Sequence, residues 1–177
     1  SEYGRYFDSA GSAWCSEFGS WCVRMSGLPE NICHGSRDAR AANFTKDTPS
    51  SYYTWDQLCF AGGDYVPQAG DLVLWSWKLK EFKPTAPVSH TSIFDYAEVS
   101  GGRVIIHTVD GNSGNRVKKV SYTVGENDGL RPNEKGRVCY IVSPSYDDPS
   151  IEKHVVSFDL AGGAADTHFQ SEDKERV

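Results

Sequence analysis

The five cysteines of this 177-residue chain, Cys15, Cys22, Cys33, Cys59 and Cys139, are an odd number, which leaves at least one thiol unpaired if the monomer forms disulfides. The thiol best placed for chemistry is Cys15. Apolar Trp14, Phe18, Trp21 and Met25 recur at i, i+4, i+7 and i+11, one stripe of an α-helix that Ser12 is suited to cap and Gly27 to stop. Cys15 then falls in about the first turn, where unpaired amides and the macrodipole favour an anion and draw a thiol toward the thiolate that attacks carbonyls. Cys22 lies on nearly the same face but two turns deeper, about 10 Å along the axis and beyond that field. It reads as a core residue or a disulfide partner. No two cysteines have Cys-x-x-Cys spacing and no histidines cluster in sequence, so a structural metal is not expected, nor is a cofactor.

The elements that must hold such a thiol follow from the pattern downstream. Residues 32–63 read as helix and loop, with a short helix around 55–60. After Val66-Pro67-Gln68-Ala69-Gly70-Asp71 the character changes. Residues 72–77, 91–99, 103–109, 116–124 and 137–142 are rich in β-branched and aromatic side chains and are separated by Gly, Asn and Pro, which predicts strands. The links Ser100-Gly101-Gly102 and Gly111-Asn112-Ser113-Gly114-Asn115 are too short for parallel crossovers and suit antiparallel neighbours. The expected class is α+β, with N-terminal helices packed against an antiparallel β-sheet.

With 38% hydrophobic and 12% aromatic residues, the chain can fill one core and is short for two. A folded domain over 1–144 and an acidic extension over 145–177 are expected. Residues 147–177 hold eight Asp or Glu against three Lys or Arg, so the net charge of -6 belongs mostly to this extension. Without clustered Lys and Arg, nucleic-acid binding is not expected, and no apolar run approaches the roughly 20 residues of a membrane span. A monomer is expected. Within the extension, residues 155–160 followed by Ala161-Gly162-Gly163 resemble the opening strand and Gly-Gly turn of an internalin-type surface repeat.

Four segments together are more specific than any one alone: Trp14-Cys15-Ser16-Glu17-Phe18-Gly19-Ser20-Trp21-Cys22, Val66-Pro67-Gln68-Ala69-Gly70-Asp71-Leu72-Val73-Leu74-Trp75, Ser89-His90-Thr91-Ser92-Ile93, and Thr108-Val109-Asp110-Gly111-Asn112-Ser113-Gly114. In this order and spacing they resemble the signature of CHAP domains (cysteine, histidine-dependent amidohydrolase/peptidase), across about 3–142. The resemblance implies a papain-like fold and a secreted or cell-surface bacterial peptidoglycan hydrolase. Such an enzyme acts on the stem peptide or cross-bridge as an N-acetylmuramoyl-L-alanine amidase or an endopeptidase. It further implies Cys15 as nucleophile, His90 as base, Asp110 as the residue orienting the histidine, and Asn112 as a further polar member of the site. Two positions depart from the family pattern. The orienting residue is usually Glu, and the histidine is usually followed by an apolar residue and Gly, where Thr91 and Ser92 stand here. Altered specificity or reduced activity is the expected consequence. Tyr6 lies where related NlpC-type hydrolases place a site tyrosine, with a packed aromatic as the competing reading.

Among five histidines, His34, His154 and His168 fall in weakly patterned or tail segments, and His107 is the rival to His90. Strand alternation points His107 away from Asp110, three positions on, so it reads as an ordinary strand residue. The same alternation makes a demand on the hairpin between them. A three-residue loop at 100–102 sets Ser92 opposite Asp110 and His90 opposite Asn112, all on one face. A two-residue loop turns His90 and Asp110 to opposite faces unless a bulge intervenes. Asp71 reads as a turn residue. Trp75 reads as core, while Trp55 and Trp77 are open between core and a substrate groove. A non-catalytic wall-binding module on the same scaffold, or a cysteine protease or acyltransferase acting on proteins, remains the alternative, because fold alone does not choose among them.

Overall fold

The computed structural model describes residues 1–6, 11, 13–27, 51–77, 88–132 and 135–144. Cys33, His34, Ser12, His154, His168 and the extension from 145 onward, with its repeat-like segment, lie outside them. Among the described residues two helices, α1 (Glu2–Tyr6) and α2 (Cys15–Met25), precede six strands: β1 (Ser51–Tyr53), β2 (Leu72–Ser76), β3 (His90–Ser100), β4 (Arg103–Asp110), β5 (Lys118–Gly125) and β6 (Arg137–Ser143). All pairings are antiparallel, in the order β1-β6-β2-β3-β4-β5, so the class is α+β. No helix of the described residues is long and apolar enough to cross a membrane. The segment expected as a short helix near 55–60 consists of two 3-10 turns, Trp55–Gln57 and Cys59–Ala61.

Strand β2 sits at the centre and is buried on both faces. Leu72 and Leu74 join Val23, Tyr140 and Val142 on the side of α2, while Val73 and Trp75 join Trp55, Leu58, Phe94, Ile106 and Ile141 on the other. Period-2 alternation thus feeds two cores from one strand. Three residues of the expected stripe of α2, Trp14, Phe18 and the half-buried Trp21, pack with Cys22 around Tyr3 of α1, whose ring lies 5.1 Å from Phe18 and 5.3 Å from Trp14, while Met25 is half-buried outside this cluster.

The β3–β4 hairpin takes the second of the two courses open to it. Its loop has two residues, Gly101 and Gly102, with φ of 59° and 72°, a turn that demands the left-handed region at both positions and so favours glycine. Ser100 therefore pairs with Arg103, and Tyr96 with His107. A bulge between Phe94 and Tyr96 then shifts the register, with Asp95 as the extra residue, so Phe94 pairs with Thr108 and Ser92 with Asp110. The expected pair of Ser92 with Asp110 is present. His90 lies beyond the β4 pairing and faces Trp75 of β2 instead of Asn112.

Just past β4, Gly111 lets the sheet approach α2. A Cβ built on it would stand 2.4 Å from Cβ of Phe18, which is itself 1% exposed. Gly111→Ala is expected to destabilise the fold by roughly 1–3 kcal/mol, because the helix must move to relieve the overlap. A lowered midpoint in urea unfolding with unchanged slope would show it; an unchanged midpoint would mean that α2 is not seated on this residue.

Candidate active site

The helix that carries Cys15 begins at that residue. Trp14 is its N-cap, without a side-chain cap bond, and the Trp14 carbonyl accepts the Phe18 amide at 3.0 Å. The N-terminal end is instead tied to the loop after β4, where the Trp14 indole donates to Asn115 Oδ1 at 3.1 Å. Ser16 Oγ and Thr91 Oγ1 share a hydrogen bond at 3.0 Å, which fixes the first turn of α2 against the start of β3. Thr91 and Ser92, the two residues that replace an apolar residue and glycine, therefore both have partners. Ser92 Oγ accepts the Trp75 indole at 3.0 Å.

Because His90 and Ser92 alternate onto one face and Ser92 pairs with Asp110, the imidazole and the carboxylate meet. His90 Nε2 lies 2.6 Å from Asp110 Oδ2. Asp110 is fully buried, and burial alone would push its carboxyl up. The bonds from His90, Thr108 and Tyr122 outweigh this and hold it below the usual carboxylate range. As an anion it can only accept, so Nε2 carries the proton and donates. That leaves Nδ1 for the thiol.

The thiol and imidazole form the other half of the chain. Burial would raise Cys15, which is 6% exposed, but the hydrogen bond and charge of His90, then the Thr91 amide and the Ser16 hydroxyl, bring it below the ordinary thiol value. For His90, burial works downward, and the hydrogen bonds to Asp110 and Cys15 overcome it and lift the imidazole to about 9. Both shifts favour the same charge state, a thiolate beside an imidazolium. The first-turn amides of α2, including that of Cys15, have no intrahelical acceptor and can receive an oxyanion formed at the attacked carbonyl.

Two further residues hold Asp110: Thr108, which lies within the fourth motif segment without an assigned role there, and Tyr122, which lies outside all four segments. Thr108 donates to Asp110 Oδ1 at 2.5 Å from two positions earlier on β4, and the Tyr122 hydroxyl donates to Asp110 Oδ2 at 2.6 Å from β5. Finding Tyr122 requires the β4–β5 register, in which it pairs with Ile106. Trp77 is part of the site's wall, its ring stacked on His90 at 5.5 Å between centroids. Trp75 is fully buried and Trp55 nearly so, both in the core.

The remaining sequence candidates make no hydrogen bond to His90 or Asp110 among the described residues. Asn112 is in the turn after β4 with φ of 60°, and its side chain makes no hydrogen bond to His90 or Cys15 among the described residues. Tyr6 is at the far end of α2, its ring under the Arg24 guanidinium at 5.2 Å, so it is a packed surface aromatic. His107 bonds Glu98 at 3.1 Å and Ser121 at 2.9 Å, as an ordinary strand residue. Asp71 accepts the Gln68 amide at 2.8 Å and the Tyr65 hydroxyl at 2.6 Å, holding the turn into β2. Cys15, Cys22, Cys59 and Cys139 form no disulfides with one another, and Cys22 lies in the core cluster under α1. Among the described residues no group of three His, Cys, Asp or Glu side chains is placed to hold a metal ion. No family model, no curated protein and no solved structure matches this chain.

Proposed function

We propose that this chain is a secreted or cell-surface cysteine amidohydrolase of the CHAP type, papain-like in fold, that cleaves amide bonds in the peptides of bacterial peptidoglycan. The observation that carries the reading is the buried pair of His90 and Asp110, 2.6 Å apart, with the same imidazole doing most to draw the buried Cys15 thiol down. The bond to the ionised Asp110 keeps one ring proton on Nε2, so Nδ1 is the nitrogen that exchanges its proton during the reaction. The four-segment likeness to CHAP domains supplies the substrate class. Asp in place of the usual Glu is compatible with the reading, because the bulge at Asp95 sets Asp110 opposite Ser92, two residues from His90 on the same face.

In this mechanism the Cys15 thiolate attacks the amide carbonyl carbon, and the oxygen takes up negative charge against the first-turn amides of α2. The imidazolium of His90 passes its Nδ1 proton to the amide nitrogen, the C–N bond breaks and the amine leaves. Water then attacks the thioester, giving one proton to the same nitrogen and keeping the other on the new C–O bond. The C–S bond breaks to release the carboxylic acid, which loses that proton to solvent, and restores the thiolate beside the imidazolium. Asp110 stays ionised throughout and steadies each imidazolium.

Purified peptidoglycan from several wall types, incubated with the protein and with Cys15→Ala, tests the reading. Soluble fragments with new amino or carboxyl termini are expected from the unaltered protein alone, and their masses tell amidase from endopeptidase. The same fragments, or none, from both proteins across all walls would overturn it.

A further inference from the structure

The connection between β5 and β6 is pinned at its base. Leu130 bridges Arg137, and the Arg131 amide donates to the Gly136 carbonyl at 2.8 Å. This places the Arg131 guanidinium over the Trp77 ring, 4.9 Å from its centroid, and near the Tyr122 ring at 5.4 Å. Both rings belong to the site wall. Trp77 stacks on the His90 imidazole at 5.5 Å, and Tyr122 donates to Asp110. A half-buried cation is thus held two stacking steps from the imidazole.

Its hydrogen-bonding capacity is largely unspent. One nitrogen, Nη1, donates to the Lys135 carbonyl at 3.3 Å, and no carboxylate among the described residues pairs with the group. A guanidinium has five N–H donors in a planar fork that matches a carboxylate bidentately, and stacking on aromatic faces keeps that fork oriented. The cation cannot serve as the proton donor of the reaction, since it does not release protons at working pH. Its place beside the histidine suits recognition.

We propose that Arg131, on its platform of Trp77 and Tyr122, is a specificity-determining residue that receives a substrate carboxylate two or three residues from the scissile amide. An extended peptide advances about 3.3–3.6 Å per residue, so such a carboxylate spans the two stacking steps between imidazole and guanidinium. The proposal rests on the amidohydrolase reading and names the substrate class as peptides with an ionised carboxylate near the cut.

The test is binding in the Cys15→Ala protein, which needs no turnover. The probes are a synthetic wall stem peptide with its α-carboxylate free and the same peptide with that group as carboxamide, followed by tryptophan fluorescence. The carboxylate form is expected to bind roughly tenfold more tightly. Arg131→Gln should abolish that preference and leave carboxamide affinity unchanged, and Arg131→Lys should restore part of it. Equal weakening toward both peptides would mark a purely structural arginine and overturn the proposal, as would a preference that survives Arg131→Gln or no binding of either peptide. Failure of the hydrolase reading shows separately, as intact wall after treatment with the unaltered protein while the peptide preference persists.

Discussion

Replacing His90 with alanine is expected to lower amide cleavage by roughly 10³–10⁴-fold, and to change which cysteine of the protein alkylates first. Burial by itself pushes the Cys15 thiol up, and the interaction that most opposes this is the hydrogen bond and charge of the imidazole. With the ring gone, desolvation prevails and the thiolate disappears at mildly acidic pH. The other free thiols serve as internal references: Cys59 is exposed, and Cys139 is buried with its thiol pushed up to about 11 by that burial. At pH 6, iodoacetamide should label Cys15 ahead of Cys59 in the unaltered protein and behind it in His90→Ala, read by mass spectrometry of the labelled peptides. Only the thiolate reacts, so the order reports its population. An order that His90→Ala leaves unchanged would show that the imidazole does not hold the sulfur as an anion.

Much of this arrangement is legible in the sequence because it depends on short periods. The stripe through Trp14, Phe18 and Trp21 is a 3.6-residue signal over three turns, and β2 to β6 alternate or run apolar long enough to be seen. The shorter elements are not. Helix α1 has five residues, too few to show a period, and it is held by Tyr3 packing on Trp14, Phe18 and Trp21. Strand β1 has three, and its existence depends on β6, where Tyr52 meets Val142 and Tyr53 meets Ile141. Pairing over such length comes from the partner rather than from intrinsic preference.

The site divides the same way. Alternation ties His90 to Ser92 and excludes His107, and the hairpin arithmetic leaves an odd loop or a bulge. It does not say where a bulge would fall. Asp95 gives no sign of its role in residue type; what selects it is the fit of Gly101 and Gly102 to a two-residue turn on one side and the burial of Phe94 and Thr108 on the other. Thr108, Tyr122 and Trp77 reach the histidine and the acid from three different strands or their ends, so their meeting is a property of the assembled sheet. Asn112, in a left-handed turn after β4, makes no hydrogen bond to His90 or Cys15 among the described residues, while Asn115 from the same turn anchors the start of α2.

Asp110→Asn should remove a charge from the site with little change of shape, and its effect should depend on pH. Asp110 accepts from three donors, His90 and Tyr122 at Oδ2 and Thr108 at Oδ1. An asparagine can keep its oxygen toward His90 and Tyr122 and turn its amino group toward Thr108, because the threonine hydroxyl has a second acceptor in the Val120 carbonyl at 3.4 Å and can rotate to it. The geometry of the ring then survives, and what is lost is the carboxylate that, against burial, does most to lift His90 to about 9. A raised imidazole is protonated below its folded value and loses its proton as pH climbs through it. Catalysis needs the imidazolium together with the thiolate. The unaltered protein should therefore show a bell-shaped profile of kcat/KM whose alkaline limb lies near 9 and whose acid limb, set by Cys15, lies below the ordinary thiol value. In Asp110→Asn the alkaline limb should move down toward the usual histidine value of about 6.5, with a loss of roughly a hundredfold at pH 8 and a severalfold smaller loss at pH 6. A limb that stays in place while activity falls equally at both pH values would mean that Asp110 orients the ring without charging it. That outcome would remove the electrostatic half of the mechanism.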